Sequence, residues 1–240
     1  MNVIFLDTET TGNEIATDRL MEVCYKLRGQ NKIECELFKP PIPISVKSQS
    51  ITHITNEMVS DKAPFGGSPL HHDLEKLLQE NILVAHNAPF DIAMLEAEGL
   101  HIPHYIDTLR LSRHADPEAI IPEYNLQFLR YYLKLNIKDA KAHDAKSDVL
   151  VLEALFERLF EKIQKEETDE QKTLEKMVEI SKTPSLMKKF TFGKYKGMPG
   201  TEVLQTDRNY LEWLYNQKVQ NNDDGQDIDW IYTLEQYLKN

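Results

Sequence analysis

The sequence predicts an α/β fold, in which a mixed five-stranded sheet is flanked by helices and followed by a small C-terminal appendage of α/β or helical type. Three segments rich in β-forming residues come first, and shorter apolar segments then alternate with segments of helical periodicity. This order indicates a sheet that starts as a meander and continues through helical connections. A chain of 240 residues is long enough for one such domain with an appendage, or for two small domains.

Five segments have the apolar, β-branched composition of strands. They cover residues 2–6, 20–27, 32–38, 82–85 and 105–107. A polar turn that contains glycine separates the second segment from the third, and such a turn favours a β-hairpin.

Helix boundaries are predicted from capping residues and from apolar residues at helical spacing. Ser68 stands before a proline and favours a helix start, and Asn125 has the side chain of an N-cap. A further helix is expected over residues 91–98, where Gly99 ends it. The longest helix is expected over about residues 144–166, because its apolar residues recur at helical spacing.

Three parts are expected along the chain: residues 1–165 as the main domain, 166–183 as a charged helical linker and 184–240 as a small C-terminal domain. The boundary lies at Thr183 and Pro184, because proline cannot continue the preceding helix. Aromatic residues are frequent beyond this point, which indicates a separate small core.

The net charge of −11 lacks the basic excess that is typical of nucleic-acid-binding proteins. The acidity is uneven, however, since residues 161–179 and 221–229 carry much of it and a lysine cluster lies at residues 188–196. The net charge therefore carries little weight for or against nucleic-acid binding.

No apolar run approaches the ~20 residues that cross a bilayer, so no membrane partner is expected. The chain start has a strand-like composition and lacks the features of a signal peptide, which favours a cytoplasmic location. Cys24 and Cys35 are accordingly expected to be reduced, partly buried thiols.

The motif DTETTG follows the first predicted strand. Asp7 and Glu9 are two positions apart, and this spacing places both carboxylates on one face of an extended chain. Adjacent acids repel each other unless a cation lies between them, so the motif favours a divalent metal site. Thr10, Thr11 and Gly12 form a turn whose backbone N–H groups are expected to bind a terminal nucleotide. The alternative is a polar strand end closed by a turn.

The segment AHNAPFD follows the fourth predicted strand. Asp91 opens the next helix, where the helix dipole also favours an acid for purely structural reasons. Asn87 is expected to orient a neighbouring ligand. Phe90 either stacks on the substrate or packs in the core.

Asp148 lies on the apolar side of the longest predicted helix, where an unpaired carboxylate is costly. Its position therefore indicates a metal ligand. His143 precedes it by five residues and suits a general base near neutral pH, although a lone histidine there is more often a surface residue or a cap. Together these groups predict hydrolysis of phosphodiesters with two metal ions, Mg²⁺ or Mn²⁺, whereas zinc suits an all-carboxylate site poorly.

The segments DTETTG, HNAPFD and HDAKSD resemble the three exonuclease motifs of the DEDDh family, which has the ribonuclease H-like fold. The resemblance covers roughly residues 1–165 and implies a 3′–5′ exonuclease. It assigns metal binding to four acids and the role of general base to one histidine: Asp7, Glu9, Asp91, Asp148 and His143.

The C-terminal segment PSLMKKFTFGKYKGMP resembles that of exodeoxyribonuclease X-like proteins, and so does ITHITNEMV earlier in the chain. This resemblance implies an enzyme that removes 5′-mononucleotides from single- or double-stranded DNA 3′ ends in repair. His53 and Ile54 fall where related enzymes contact the terminal nucleotide. Lys194 and Lys196 are interleaved with aromatic residues, so they are expected either to hold a strand or to lie on a small packed lobe.

Two further hypotheses remain open at this stage. The same chemistry is compatible with a proofreading subunit of a replicative polymerase or with an RNA-trimming exonuclease. A non-catalytic module that binds nucleic acid or protein through its aromatic tail is the third possibility, and the intact set of acids disfavours it.

Overall fold

The structure is a computed structural model that describes residues 2–135, 137, 145–167, 169–221 and 227–239. A five-stranded sheet with the strand order β3-β2-β1-β4-β5 forms its centre. The strands are β1 (Asn2–Thr10), β2 (Leu20–Leu27), β3 (Glu34–Leu37), β4 (Asn81–Ala85) and β5 (Tyr105–Asp107). The five predicted strands are confirmed, and β1 continues beyond its predicted end through the acidic motif.

The sheet is mixed, as predicted. β1 pairs antiparallel with β2 and parallel with β4, which pairs parallel with β5. The last residue pair between β1 and β4 joins Phe5 to Val84, so β1 extends past the end of β4. The acidic residues of β1 and the residues that follow β4 therefore share one edge of the sheet.

Helices connect and cover the strands. Those of the main domain are α1 (Val46–Thr52), α2 (Asn56–Val59), α3 (Pro69–Glu80), α4 (Ala88–Ala97), α5 (Thr108–His114), α6 (Leu126–Tyr132), α7 (Ala145–Gln164) and α8 (Glu170–Lys182). The predicted caps are confirmed, because the Ser68 side chain accepts a hydrogen bond from the His71 N–H and Asn125 accepts one from the Phe128 N–H. α4 starts at Ala88, three residues before its expected start at Asp91.

Each face of the sheet has its own apolar core. On one face Phe5 and Val84 pack with Phe156 of α7, and the Phe5 and Phe156 rings meet edge to face at 5.2 Å. On the other face Leu83 packs with Leu74 of α3. Helices therefore cover both faces, and functional groups concentrate at the sheet edge, where β1 and β4 end.

The segment expected to be a linker contains α8, which packs on the main domain. Leu174 and Met177 are buried in the core on the α7 side, and Ser181 donates a hydrogen bond to Met177 O at 2.7 Å. The charged residues of this helix lie on its exposed side. α8 thus contributes to the main core.

The C-terminal lobe, residues 184–239, is mostly helical among its described residues. It contains a short 3-10 turn at Gly193–Tyr195 and the helices α9 (Gly200–Thr206), α10 (Arg208–Gln220) and α11 (Ile228–Lys239). Its separate core includes Phe190, Leu211 and Leu234. The aromatic residues that predicted this core pack within it.

An ion-pair cluster joins the lobe to the main domain. The Asp229 carboxylate of α11 accepts from Arg110 Nη2 at 3.1 Å and from Arg113 Nη1 at 2.5 Å. The same carboxylate accepts the Ser185 N–H at 3.0 Å. Because both arginines belong to α5, the cluster fixes the lobe beside the end of β5.

The expectation of reduced thiols is wrong in this structure. Cys24 of β2 and Cys35 of β3 face each other in register and form a disulfide with a Cα–Cα distance of 4.2 Å. Their proximity follows from the register of β2 with β3, which the predicted hairpin does not specify. None of the described helices is both long enough and apolar enough to cross a bilayer.

Candidate active site

Asp7 and Glu9 lie near the end of β1, where their side chains alternate with those of Thr8 and Thr10. Burial raises the pKa of Asp7 well above its usual value, and the charges of Asp91, Asp148 and Glu9 raise it further. Such mutual repulsion requires these carboxylates to be near one another. The structure thus brings together the four acids that the motifs predicted.

Glu9 has a pKa raised to about 7, first by burial and then by the charges of Glu22 and Asp148. A group with this pKa is half protonated at neutral pH. Two adjacent negative charges therefore exist here only at a cost in free energy, which a bound cation would remove.

Glu22 is an acid of this edge that the sequence analysis missed. It stands directly opposite Glu9 in the antiparallel pairing of β1 and β2. Its only sequence signal is a single acid in a mainly apolar strand, and the register needed to place it opposite Glu9 comes from the structure.

Asp91 lies in the first turn of α4 and is 6% exposed. Its carboxylate accepts a hydrogen bond from the Thr8 hydroxyl at 2.7 Å, which joins α4 to β1. Burial raises its pKa to about 7, although this hydrogen bond lowers it. The acid is therefore held beside Asp7 in an environment that disfavours its charged form.

Asp148 lies in the first turn of α7, and the amide of Gln127 on α6 donates a hydrogen bond to its carboxylate. The next residue, Val149, is fully buried in the core. Leu152 and Leu155, which follow Asp148 at helical spacing, are buried in the same core, so Asp148 lies on the apolar side of the helix as predicted. His143 lies outside the described residues, so its predicted position beside the acids stays a prediction.

The turn after β1 is held by internal hydrogen bonds. The Thr11 hydroxyl donates to Asp18 Oδ1 at 2.7 Å, and the Thr10 hydroxyl donates to Gly12 O at 2.7 Å. A Cβ atom on Gly12 would lie 2.4 Å from Asp18 Oδ2, so a larger residue here would displace the Asp18 carboxylate from its hydrogen bonds to the turn. The turn is therefore rigid and adjoins the acids.

His53 and Ile54 follow α1, which is attached to the end of β1 by a hydrogen bond from the Ser48 hydroxyl to Thr10 O at 3.0 Å. His53 adopts a left-handed backbone conformation with φ 58°. Ile54 is 4% exposed and packs beside Met21, which is a core position.

Asn87 and Phe90 stand between β4 and Asp91. Asn87 is exposed and has a left-handed conformation, φ 69°, and its N–H donates to Asp107 Oδ1 at 2.9 Å. Asp107 is 1% exposed and also caps α5, a second role that the sequence analysis missed. Phe90 is partly buried against the core on the α3 side.

The two predicted lysines differ in their surroundings. Lys194 forms an ion pair with Asp207 at 2.8 Å and lies over the ring of Tyr195 at 4.6 Å. Lys196 is exposed beside Gly197 at the surface of the lobe. Only Lys196 projects its charge away from the ion pairs of the lobe.

The acids suit a hard divalent cation by their donor type, because Mg²⁺ and Mn²⁺ prefer carboxylate oxygens. Within the described residues, no three His, Cys, Asp or Glu side chains are grouped closely enough to be recognised as a metal site. Thr8 and Gln127 each engage one carboxylate of the cluster. The donor type therefore fits such an ion, although the described acids are not grouped closely around one point.

Comparison with known proteins places this site in a class. A family model described as "Exonuclease" matches residues 4–156, and one described as "Exodeoxyribonuclease X-like C-terminal" matches residues 190–219. The chain therefore belongs to the exonuclease family, and it is a nuclease with the ribonuclease H-like fold.

Within this family the chain is similar to Exodeoxyribonuclease 10 of Escherichia coli strain K12, with 33% identity over 85% of this chain and 84% of the relative. The ε subunit of DNA polymerase III from Treponema pallidum is 31% identical over 62% of this chain and 72% of its own length. Among solved structures, "Exonuclease X in complex with 5′ overhanging duplex DNA" matches with 25% identity and a TM-score of 0.58, covering 75% of this chain and 99% of that chain.

Proposed function

We propose that this protein is a metal-dependent 3′–5′ exodeoxyribonuclease that releases 5′-mononucleotides from DNA ends. The observation that carries the proposal is the convergence of Asp7, Glu9, Asp91 and Asp148, with raised pKa values for the first three. Several acids buried close together are costly, and a function that binds cations explains why they are kept. The names of the relatives support DNA as the substrate.

The four acids would hold two ions, Mg²⁺ or Mn²⁺. Asp7 would lie between both, Glu9 and Asp148 would complete one site, and Asp91 would help to hold the other. When bound, such ions supply an activated water and stabilise the oxygen that leaves.

The side chains of the protein would orient the acids and move the proton. Thr8 fixes one oxygen of Asp91, and Gln127 fixes one oxygen of Asp148. His143 would accept the proton of the attacking water, a role that requires its neutral form. Activity would therefore fall as the pH drops and His143 becomes protonated.

The terminal nucleotide would lie beside the turn of Thr10, Thr11 and Gly12. The Thr11 N–H already donates to Arg19 O at 3.0 Å, so a phosphate oxygen would approach the Gly12 N–H. Asn87 is exposed at the same sheet edge and would contact the substrate, as would His53. Phe90 and Ile54 are more buried, and their packing would shape the nucleotide pocket from behind.

The likeness to the polymerase III ε subunit favours a second candidate, a proofreading subunit with the same chemistry. We rank the proofreading subunit below a free-standing exonuclease, because the C-terminal segment matches the exodeoxyribonuclease X-like family. Co-purification of the tagged protein with a replicative polymerase would reverse this ranking.

Digestion of end-labelled oligonucleotides tests the proposal. With Mg²⁺, a 3′ label is expected to be released at once as a mononucleotide, whereas a 5′ label should pass through a ladder of shortened products. Parallel RNA substrates test the RNA-trimming alternative, and His143→Ala tests the base. Release of the 5′ label first, or full activity in a chelator, would refute the proposal.

A further inference from the structure

A cleft of about 910 Å³ separates the C-terminal lobe from the main domain. One wall is the segment 116–125 between α5 and α6, and the other wall is formed by residues 186–191 and 196–197 of the lobe. His86 and Asn87, which follow β4, line it as well. The cleft thus runs between the family-matched C-terminal segment and the edge of the sheet that carries the acids.

We infer that this cleft binds the unpaired DNA strand on the 5′ side of the nucleotide that is removed, so that the lobe is a substrate-holding element. The inference deepens the proposed function and depends on it. Its first support is position. Asn87 stands four residues before Asp91, and Asn125 stands two residues before Gln127, which contacts Asp148. A strand that leaves the acids along this edge would enter the cleft.

Charge is the second support. Lys188, Lys189 and Lys196 line the lobe wall, in a chain of net charge −11. Within the described part of the chain, none of the three forms an ion pair with a carboxylate. Ammonium groups that have no carboxylate beside them attract phosphates.

Two of these lysines also hold the opposite wall. Lys188 donates to Pro117 O, and Lys189 donates to Ala119 O at 2.8 Å. An ammonium group has three N–H donors, so each retains donors for a phosphate. Lys196 is exposed and has no such tether among the described residues.

The acids of the cleft do not cancel this charge fully. Asp116 accepts the N–H groups of Ile120 and Ile121 and the Tyr124 hydroxyl, so its carboxylate is occupied by the loop itself. Glu123 accepts a hydrogen bond from the Asn125 amide at 3.0 Å. Three lysines therefore face two acids, which leaves the cleft with a net positive charge from these five groups.

Apolar contact is the third support. Ile120 is 68% exposed on one wall and Leu186 is 44% exposed on the other. Exposed apolar side chains between phosphate-binding groups suit the faces of bases, and base faces are accessible only in an unpaired strand. The cleft therefore fits single-stranded DNA.

Equilibrium binding in EDTA tests the inference without catalysis. The variant Lys188→Gln/Lys189→Gln/Lys196→Gln is compared with Lys76→Gln/Lys165→Gln/Lys172→Gln, which makes the same charge change on exposed lysines outside the cleft. Fluorescence anisotropy measures Kd for a labelled long single strand over a range of salt concentrations. The cleft variant should bind about 10-fold more weakly, and its salt slope should fall by about 2, since each phosphate contact contributes ~0.7.

The matched variant should bind as the wild type does, apart from a small general charge effect. Equal weakening in both triple variants, or an unchanged salt slope in the cleft variant, would overturn the inference. If the lysines only tether the lobe, Lys188→Gln/Lys189→Gln would lower Tm and Lys196→Gln alone would leave Kd unchanged, which also overturns it.

Kinetic measurements with Mg²⁺ distinguish a failure of the cleft assignment from a failure of the proposed function. The ratio of kcat/KM for a long strand to kcat/KM for a dinucleotide should fall about 10-fold in the cleft variant, because only the long strand reaches the cleft. A wild-type protein that hydrolyses neither substrate would refute the proposed function, whereas an unchanged ratio would refute only the assignment of the cleft.

Discussion

Acids in the active site and acids in the C-terminal lobe have opposite environments. The pKa of Asp207 in the lobe is lowered to about 2, chiefly by its hydrogen bond to Lys194 and then by the Tyr195 hydroxyl. The pKa of Glu9 is raised to about 7 by burial and by Glu22. Asp207 has a cation beside it, whereas Glu9 has further acids beside it. The comparison indicates that the lobe uses its acids for stability, whereas the sheet edge keeps acids whose charges repel one another and are suited to a bound cation.

The acid at the interface between the lobe and the main domain is paired with cations, as Asp207 is in the lobe. Asp229 contacts two arginines and a backbone N–H, so its charge is fully compensated. By contrast, Asp7 is surrounded by Asp91, Asp148 and Glu9. Substitutions in the two regions should therefore have separable effects on activity and on stability.

The largest expected effect is on catalysis by Asp7→Asn. The substitution removes the carboxylate that would lie between both ions, and metal stabilisation of the transition state is worth several kcal/mol, so kcat should fall by about 100-fold or more. The measurement is release of a 3′ label from single-stranded DNA at saturating Mg²⁺. The folded protein should become no less stable, because a repelling charge is lost.

Asp207→Asn is the matched control, since it makes the same chemical change in the lobe. It breaks the ion pair with Lys194 and should leave kcat within about twofold of the wild type, because this pair is remote from the chemistry. If both variants lose activity equally, the contrast between the two regions fails.

The next effect is on stability. Asp229→Asn leaves Arg110 and Arg113 without their shared counter-charge, and the side chain of Arg110 is 8% exposed. Breaking a buried pair from one side typically costs ~3–5 kcal/mol, and the partial exposure of Arg113 reduces this, so the free energy of unfolding should fall by about 2–3 kcal/mol. Urea denaturation measures it.

The exposed ion pair of Arg208 and Glu212 on α10 is the comparison for this loss in the free energy of unfolding. Both side chains are 50% exposed, so Glu212→Gln should cost no more than about 0.5 kcal/mol. A cost as large as that of Asp229→Asn would mean that burial does not set the strength of these pairs.

Sequence patterns predicted the parts of the fold that depend on local periodicity. The bounds of β2 and β5 and the caps of α3 and α6 agree with the structure. α4 begins earlier than expected, because Asn87 starts the helix from a left-handed conformation and not through a side-chain cap. The buried positions of α8 were not recognised in the sequence, because its few apolar side chains lie on one narrow face of the helix and charged residues stand between them.

The sequence predicted the site residues that lie in recognisable motifs. It did not predict the residue whose place depends on the pairing of two strands. Asp7 and Glu9 followed from strand alternation, and Asp148 from its place beside the apolar helix face. Glu22, by contrast, joins the cluster only through the register of β1 with β2. The disulfide of Cys24 and Cys35 depends on register in the same way.

The remaining expected effect concerns pH and separates the acids of the site from those of the lobe. The ordinary pKa of Glu9 is 4.5 and its folded-state pKa is about 7, so the folded state binds more protons between these values. Asp91 changes in the same direction, from 3.8 to about 7. The stabilisation is complete below the unfolded pKa and is lost as the pH rises through about 7, which is the reverse of the behaviour of Asp207.

In EDTA, Tm should therefore fall between pH 5 and pH 8, by roughly 2–4 °C for each ~1 kcal/mol lost. Mg²⁺ should reduce the fall, because a bound cation replaces the protons. Glu22→Gln should also reduce it, since the charge of Glu22 contributes to the raised pKa of Glu9. Differential scanning fluorimetry measures all three. A Tm that rises with pH in EDTA, or a slope that Glu22→Gln leaves unchanged, would show that the site acids are compensated in the way that those of the lobe are.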